Sequence, residues 1–361
     1  MIGATVSIPT LLDSQNLYGS VEALGQQCQH AWEDCQKINL PDAYSHVNKI
    51  LMTGMGGSGL GARIIESVYG DEIKSPLIRL NEYHLPGWVD RQTLVICSSF
   101  SGTTEETVAN LNEAQQRGCP WLAIASGGEL IELAKKFNRP YYQINPRFNP
   151  SKQPRMAVGY LVVSQLVLAA KIGLFRFSAG DLTSIKTALE QVLKANNRQV
   201  ATAQNEAKQL AVKLKDRVVI FVAARHLIGS AHTIKNQMNE NAKNFSAIFD
   251  LPELNHHLME GLAHPAANAQ NLFFVLLDSP LYEPRIRQRL KITETVIRKN
   301  QVDSYTLMAQ GESEIAQAFG VIQFGSLVNF YLSQLYGLDP SPIPWVDYFK
   351  VQLGQSLGQW K

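Results

Sequence analysis

Cysteine is scarce in this sequence. Its four residues, Cys28, Cys35, Cys97 and Cys119, all lie in the first third, and none forms a CxxC pair. That excludes a disulfide-stapled small domain and suits a reducing cytosol. No sign of charge dominates either: Lys plus Arg exceed Asp plus Glu by 33 − 31 = 2, without a block of like charge. A phosphate-backbone-binding surface is therefore not implied, and nucleic acid is not an expected partner. Long uncharged apolar runs are missing as well. The richest stretch, 315–336, is interrupted by Gln317, Gln323, Ser326, Asn329, Ser333 and Gln334 and reads as a buried helix. The N-terminus lacks the basic start and apolar stretch of a signal peptide, so the expected setting is the cytoplasm, with no membrane partner.

What is present describes a folded chain. Hydrophobic residues make up 45% and charged residues 18%, far from the composition of disorder. At 361 residues the chain exceeds the usual size of one core, so two domains are expected. Short β-rich runs alternate with helix-length stretches, the pattern of parallel strands joined by crossover helices. The strand candidates are 49–53, 77–80, 93–97, 121–125 and 141–144, then 218–223, 247–251, 272–277 and 304–308. The fold class expected is α/β, two doubly wound, mainly parallel, Rossmann-like halves with flanking helices, divided as 1–195 and 196–361. Between them, 156–174 is apolar, and 181–215 has the one-sided polarity of an amphipathic helix. Prolines 340, 342 and 344 separate a last helical pair, 312–337 and 345–357.

The first strand runs into Gly54-Met55-Gly56-Gly57-Ser58-Gly59 ahead of a helical segment. Glycines allow close backbone approach, and the helix start offers free N–H groups and a positive dipole end, so the loop suits an anion. It also satisfies G-x-G-x-x-G, with Glu82 placed to hold a ribose, so a dinucleotide is the rival ligand. The third strand ends in Ser98-Ser99-Phe100-Ser101-Gly102-Thr103-Thr104-Glu105-Glu106. Its hydroxyls favour a compact phosphate monoester, whereas the plain reading is an N-capped helix. Both loops belong at the carboxyl edge of the sheet, where open α/β folds bind ligands. Farther on, Glu240 falls on a helix with Asn236 and Lys243 on the same face, which by itself could be a surface Glu240–Lys243 ion pair.

These two loops strongly resemble the sugar isomerase (SIS) domain of bifunctional phosphoglucose/phosphomannose isomerases. The likeness continues through Gln153-Pro154-Arg155-Met156-Ala157, Asn239-Glu240-Asn241-Ala242-Lys243 and Glu253-Leu254-Asn255-His256, and covers nearly the whole chain. It implies two SIS domains in a homodimer and an aldose–ketose isomerase that works without a metal or cofactor through a cis-enediol. Glucose 6-phosphate, and mannose 6-phosphate with it, would be interconverted with fructose 6-phosphate. Gly56, Gly57, Ser58, Ser99, Ser101, Gly102 and Thr104 would hold the phosphate. Glu240 would be the base, Arg155 the enediolate's partner, His256 a ring-opening residue reaching across the dimer interface, and Lys350 its helper. Ser341 resembles the hydroxyl associated with accepting mannose phosphate.

Two positions depart from the pattern: Phe100 replaces a tyrosine, and His257-Leu258 replaces Asn-Glu beside the ring-opening histidine. His256, His257 and His264 could suggest a metal, but adjacent histidines lack the i, i+4 spacing of a helical ligand pair. The second-half loop Ala223-Ala224-Arg225-His226-Leu227-Ile228-Gly229-Ser230 lacks the first loop's hydroxyl cluster, so one phosphate cradle per chain is expected. A noncatalytic sugar-phosphate sensor and an isomerase of another hexose or aminohexose phosphate are the functional alternatives.

Overall fold

The computed structural model describes residues 11–358. Aliphatic and β-branched runs form strands where the pattern places them: β1 (Lys49–Thr53), β2 (Leu77–Leu80), β3 (Thr93–Ser98), β4 (Trp121–Ala125) and β5 (Tyr141–Gln143). They make one parallel sheet in the order β2-β1-β3-β4-β5. A second parallel sheet, ordered β7-β6-β8-β9, contains β6 (Val218–Ala224), β7 (Ser246–Leu251), β8 (Leu272–Asp278) and β9 (Asp303–Met308). Successive side chains of a strand point to opposite faces, and the first sheet is apolar on both. Ile50, Met52, Leu94, Ile96, Leu122 and Ile124 enter one core, while Leu51, Val95, Cys97, Trp121, Ala123 and Ala125 enter the other.

Two N-terminal helices, α1 (Leu17–Glu22) and α2 (Leu24–Gln36), precede the crossovers α3 (Leu60–Tyr69), α4 (Glu105–Gln116) and α5 (Gly128–Lys136). The link to the second sheet is α6 (Val158–Lys171), α7 (Ala179–Asn196) and α8 (Glu206–Leu214). The rest are α9 (Ile228–Gln237), the short α10 (Leu254–His257) and α11 (Asn268–Asn271), α12 (Pro284–Lys299), α13 (Glu314–Leu335) and α14 (Pro344–Ser356). The stretch 181–215, expected as one amphipathic helix, is two. Asn197 turns extended, and Asn205 caps α8 by accepting from the Lys208 N–H at 2.9 Å. Such asparagines compete with helix continuation by bonding the backbone locally.

Helix α13 is long and apolar enough to cross a membrane, but its apolar window is buried inside the protein. Each polar residue that interrupts it makes at least one hydrogen bond, although Asn329 Oδ1 has no partner among the described residues. Gln323 donates to Val21 O, Ser326 to Gln237 Oε1, Asn329 to Ile234 O, and Gln334 exchanges two bonds with the Leu12 backbone. Burying them without such partners would cost a few kcal/mol each. The halves also exchange elements. Ile315, Phe319 and Ile322 of α13 enter the first half's core, whereas Leu17, Tyr18 and Val21 of α1 enter the second's.

Candidate active site

The first sheet reverses its strand order between β1 and β3, and both loops singled out from the sequence open at that point. After β1 the chain makes a tight 3₁₀ turn, Gly56–Gly59, with Gly56 exposed at φ +52°. A Cβ on Gly57 would lie 3.0 Å from Pro154 O and 3.2 Å from Arg155 Cα, so the loop packs directly on the turn that carries Arg155. Ser58 is buried. Its hydroxyl accepts the Phe100 N–H at 2.9 Å, and the Gln165 amide bonds both Ser58 O and Ser98 Oγ, tying the two loops into one frame.

In the second loop, Ser99 Oγ lies 2.8 Å from Thr104 Oγ1 and 3.4 Å from Ser101 Oγ, and Thr103 Oγ1 donates to Ser101 Oγ at 3.0 Å. These hydroxyls engage one another rather than the helix. Thr104 is the N-cap of α4, yet its side chain makes no capping bond. The plain reading of an ordinary capped helix start therefore fails, and the uncapped N–H groups and dipole end of α4 stand beside a cluster of adjustable donors. Gly102 sits at φ +75°, where a Cβ would fall 1.8 Å from Gly127 O. Only glycine lets this turn close.

Arg155, on a short 3₁₀ turn ahead of α6, is 2% exposed. All three of its guanidinium nitrogens are engaged: Nε donates to Asn241 Oδ1 at 2.5 Å, Nη1 to Gln153 Oε1 at 2.8 Å, and Nη2 to the carbonyls of Pro340 and Ser341 at 3.0 and 2.7 Å. Glu240 Oε2 lies 3.7 Å from Nη1. Glu240 belongs to a π-helical turn, Met238–Ala242, that extends α9. Such turns re-aim side chains and recur at functional sites. Burial raises the Glu240 pKa above the ordinary carboxylate range, opposed by the charges of Arg155, then Lys350, Lys243 and Lys235. Arg155 is likewise drawn down by burial, while the Glu240 and Asp347 carboxylates hold it up.

Lys243 does not share a helical face with Glu240, as the spacing suggests. It leaves the helix at φ +54°, and its ammonium donates to the carbonyls of Asn241, Asp339 and Pro340 at 3.3, 3.1 and 2.8 Å. Arg155 and Lys243 thus both grip the proline elbow before α14. The buried Ser341 hydroxyl has no hydrogen-bond partner among the described residues, although the Ser341 carbonyl receives Arg155. Lys350, exposed on α14, is near enough for its charge to lower the Glu240 pKa. His256 is apart from this group. It stands on α10 beyond β7, and its side chain makes no hydrogen bond or ion pair among the described residues.

The structure therefore brings together the glycine loop, the hydroxyl loop, Arg155, Glu240 and Lys350, and leaves His256 outside. It adds residues to which the sequence assigned no role. Asn241 and Gln153 orient Arg155, Gln237 donates to the Arg155 carbonyl at 3.0 Å, and Gln165 joins the loops. Gln153 and Asn241 stand in the motif strings next to Arg155 and Glu240, which was their one signal.

The second half explains its own lack of a cradle. Its strand order reverses between β6 and β8, and that crevice is filled with side chains. His226, buried, bonds Gln317 Oε1 at 2.9 Å, Ser279 Oγ donates to the same oxygen, and the Tyr282 hydroxyl donates to Ala224 O at 2.7 Å. Gln317 of α13 plays there the part that Gln165 of α6 plays in the first half.

A pair of parallel, doubly wound sheets with a hydroxyl cradle at one switch point defines a two-domain SIS protein. Residues 203–353 match the bacterial phospho-glucose isomerase C-terminal SIS domain. The chain is 31% identical over 344 residues to the bifunctional phosphoglucose/phosphomannose isomerase of Caldicellulosiruptor bescii, covering 94% of this chain and 99% of the relative. It is 28% identical to the enzyme of the same name from Aquifex aeolicus, covering 94% and 98%. A hypothetical protein from Thermus thermophilus superposes with a TM-score of 0.71 at 15% identity, over 95% of this chain and 92% of that one. The chain belongs to the bifunctional phosphoglucose/phosphomannose isomerase family.

Proposed function

We propose that this chain interconverts glucose 6-phosphate and mannose 6-phosphate with fructose 6-phosphate through a cis-enediol. The observation that carries the reading is a buried Arg155 held 3.7 Å from Glu240 and packed through its own backbone turn against the glycine loop. The phosphate dianion sits at the start of α4, taking hydrogen bonds from Ser99, Ser101 and Thr104, from the backbone near Gly102, and from the Gly56-Gly57-Ser58 turn. This anchors the sugar's far end. The Glu240 carboxylate removes the proton from C2 of the aldose and returns it to C1, and Arg155 stabilises the enediolate oxygen. Nε and Nη2 are held by Asn241 and the elbow carbonyls and one Nη1 N–H by Gln153, so the second Nη1 N–H, on the nitrogen that faces Glu240, is the donor left to do so.

Ring opening needs a further proton carrier, which we assign to His256 of the partner subunit in a homodimer, with Lys350 beside it. Two features support this. Within its own chain His256 touches nothing polar among the described residues, and α14 exposes Trp345 (81%), Tyr348 (60%) and Phe349 (62%), an apolar surface of the kind that marks an interface. Ser341 we propose as the hydroxyl that accommodates both aldose epimers, supported by its buried and unpartnered oxygen. The four cysteines are buried free thiols, which supports a cytoplasmic setting.

The test is formation of fructose 6-phosphate from each aldose phosphate. Glu240→Gln keeps shape and hydrogen bonding but cannot act as the base, so kcat should fall by roughly 10² to 10⁴ with KM little changed. Unaltered kcat would remove Glu240 from the reaction. Turnover of neither aldose by the native chain would remove the function.

A further inference from the structure

A cavity of about 530 Å³ opens between α3 and α9, beside the end of β7 and the start of α13, with His226 of the filled second crevice in its wall. Its walls hold three arginines in unequal situations. Arg79 pairs with Glu66 at 2.6 Å, and Arg225 pairs with Asp71. Arg63, half-buried on α3, makes no hydrogen bond or ion pair among the described residues. The facing His232 of α9 is also half-buried and without a polar partner among the described residues. Lys235, one turn on, is in the same state. The charges that act on His232 are all positive, those of Arg63, Lys235 and Arg79, and after burial they hold its pKa down to about 3. Arg63 and Lys235 thus keep unpaired donors, with the Glu66 and Glu240 carboxylates acting on them only from beyond ion-pair distance, and an anion would supply the direct contact.

The opposite wall is different in kind. Asp250 is exposed without an ion-pair partner among the described residues, and Glu314 faces the cavity with its carboxylate 3.4 Å from His226 Nδ1. His226 Nε2 is taken up by the Gln317 oxygen and Arg225 by Asp71, so the Asp250 and Glu314 carboxylates are the groups this wall offers, both acceptors. Donors at one end and acceptors at the other, in a volume well above that of orthophosphate, match a phosphate ester that also carries hydroxyls.

We infer that this cleft is a second binding site, for the phosphate ester of a small polyol or sugar, with the phosphate on Arg63 and His232 and the hydroxyls on Asp250 and Glu314. Occupancy would reach the active site through Lys235, whose charge also acts on Glu240. Neutralising that charge lets the Glu240 pKa rise, so the ligand should inhibit most on the acid side of the pH profile.

Calorimetric titration of the full chain with glycerol 3-phosphate, which has no carbonyl to isomerise, tests this. Two sites per chain are expected. A Ser101→Ala/Thr104→Val chain should keep the cleft site, and Arg63→Ala should keep the cradle site while weakening the other by about tenfold or more. Inorganic phosphate should fill the cleft less tightly than the ester, since it cannot reach the acceptor wall; equal affinity would assign the site to free phosphate and overturn the ester reading. The His232 ring resonances should report a raised pKa when ligand is added. In phosphate-free buffer Arg63→Ala should melt no lower than the native chain, because it removes repulsion; a purely structural Arg63 would lower the melting temperature. One site per chain, or an Arg63→Ala chain that titrates like the native one, would overturn the inference.

Discussion

Glu240 works as a base among cations, and its stability and its reactivity pull in opposite directions. Burial raises its pKa in the folded state, so ionising it costs folding stability at every pH above that raised value. Below the ordinary carboxyl value of about 4.3 the group is protonated folded or unfolded, and the cost is absent. Glu240→Gln should therefore melt higher than the native chain at neutral pH, with the gap closing as pH falls toward about 4, as differential scanning calorimetry at several pH values would show. A constant gap would mean that the substitution acts through packing. The same raised pKa sets the acid limb of kcat, since the carboxylate is the working form. Arg155 is the main charge opposing that rise, so Arg155→Gln should move the limb to higher pH. It should also destabilise, by about 1–3 kcal/mol, because the buried Asn241 oxygen and the elbow carbonyls lose their donors.

The site's elements are joined by backbone contacts that only certain residues permit. Gly102→Ala places a methyl 1.8 Å from Gly127 O at φ +75°, so the hydroxyl turn must open. Strain at such a position costs about 1–3 kcal/mol before the clash is counted. The expected result is a steep rise in KM for the phosphorylated substrate together with a lower melting temperature. The elbow between α13 and α14 is held by Lys243, whose pKa is pushed down to about 8 by loss of solvent, then by the Arg155 charge. As pH rises through that value the ammonium becomes a neutral amine and its bonds to the elbow carbonyls weaken. Activity should decline above about pH 8. Lys243→Arg, charged throughout, should delay that decline; an identical alkaline limb in both chains would clear Lys243 of it.

At the scale of the whole molecule, a site completed by a partner predicts rescue between two dead chains. Glu240→Gln lacks the base and His256→Ala lacks the ring-opening residue, so each alone should be nearly inactive. Mixed and reassociated, about half the dimers would be hybrids, each with one site holding both native residues, and about a quarter of native activity should return. No recovery, with hybrids shown to form, would place His256 within its own chain's site or outside the reaction. The exchange of α1 and α13 between the cores also makes the halves one packing unit, so the cavity between α3 and α9 is walled by both.

The parallel strands and the two ligand loops were legible in the sequence because their causes are local: short β-branched runs and glycines and hydroxyls clustered at strand ends. Arg155 and Glu240 were legible as members of motifs, but not as a pair, since they are 85 positions apart and meet because the glycine loop packs on one while a π-helical turn presents the other. Lys243 was misplaced for a related reason: spacing assumes a regular helix, and the chain leaves it there. The break in 181–215 has a local cause too, in Asn197 and Asn205 bonding the backbone beside them, whereas the swapped core helices and the cations facing His232 were decided only by tertiary structure, because which polar group finds a partner depends on what packs against it.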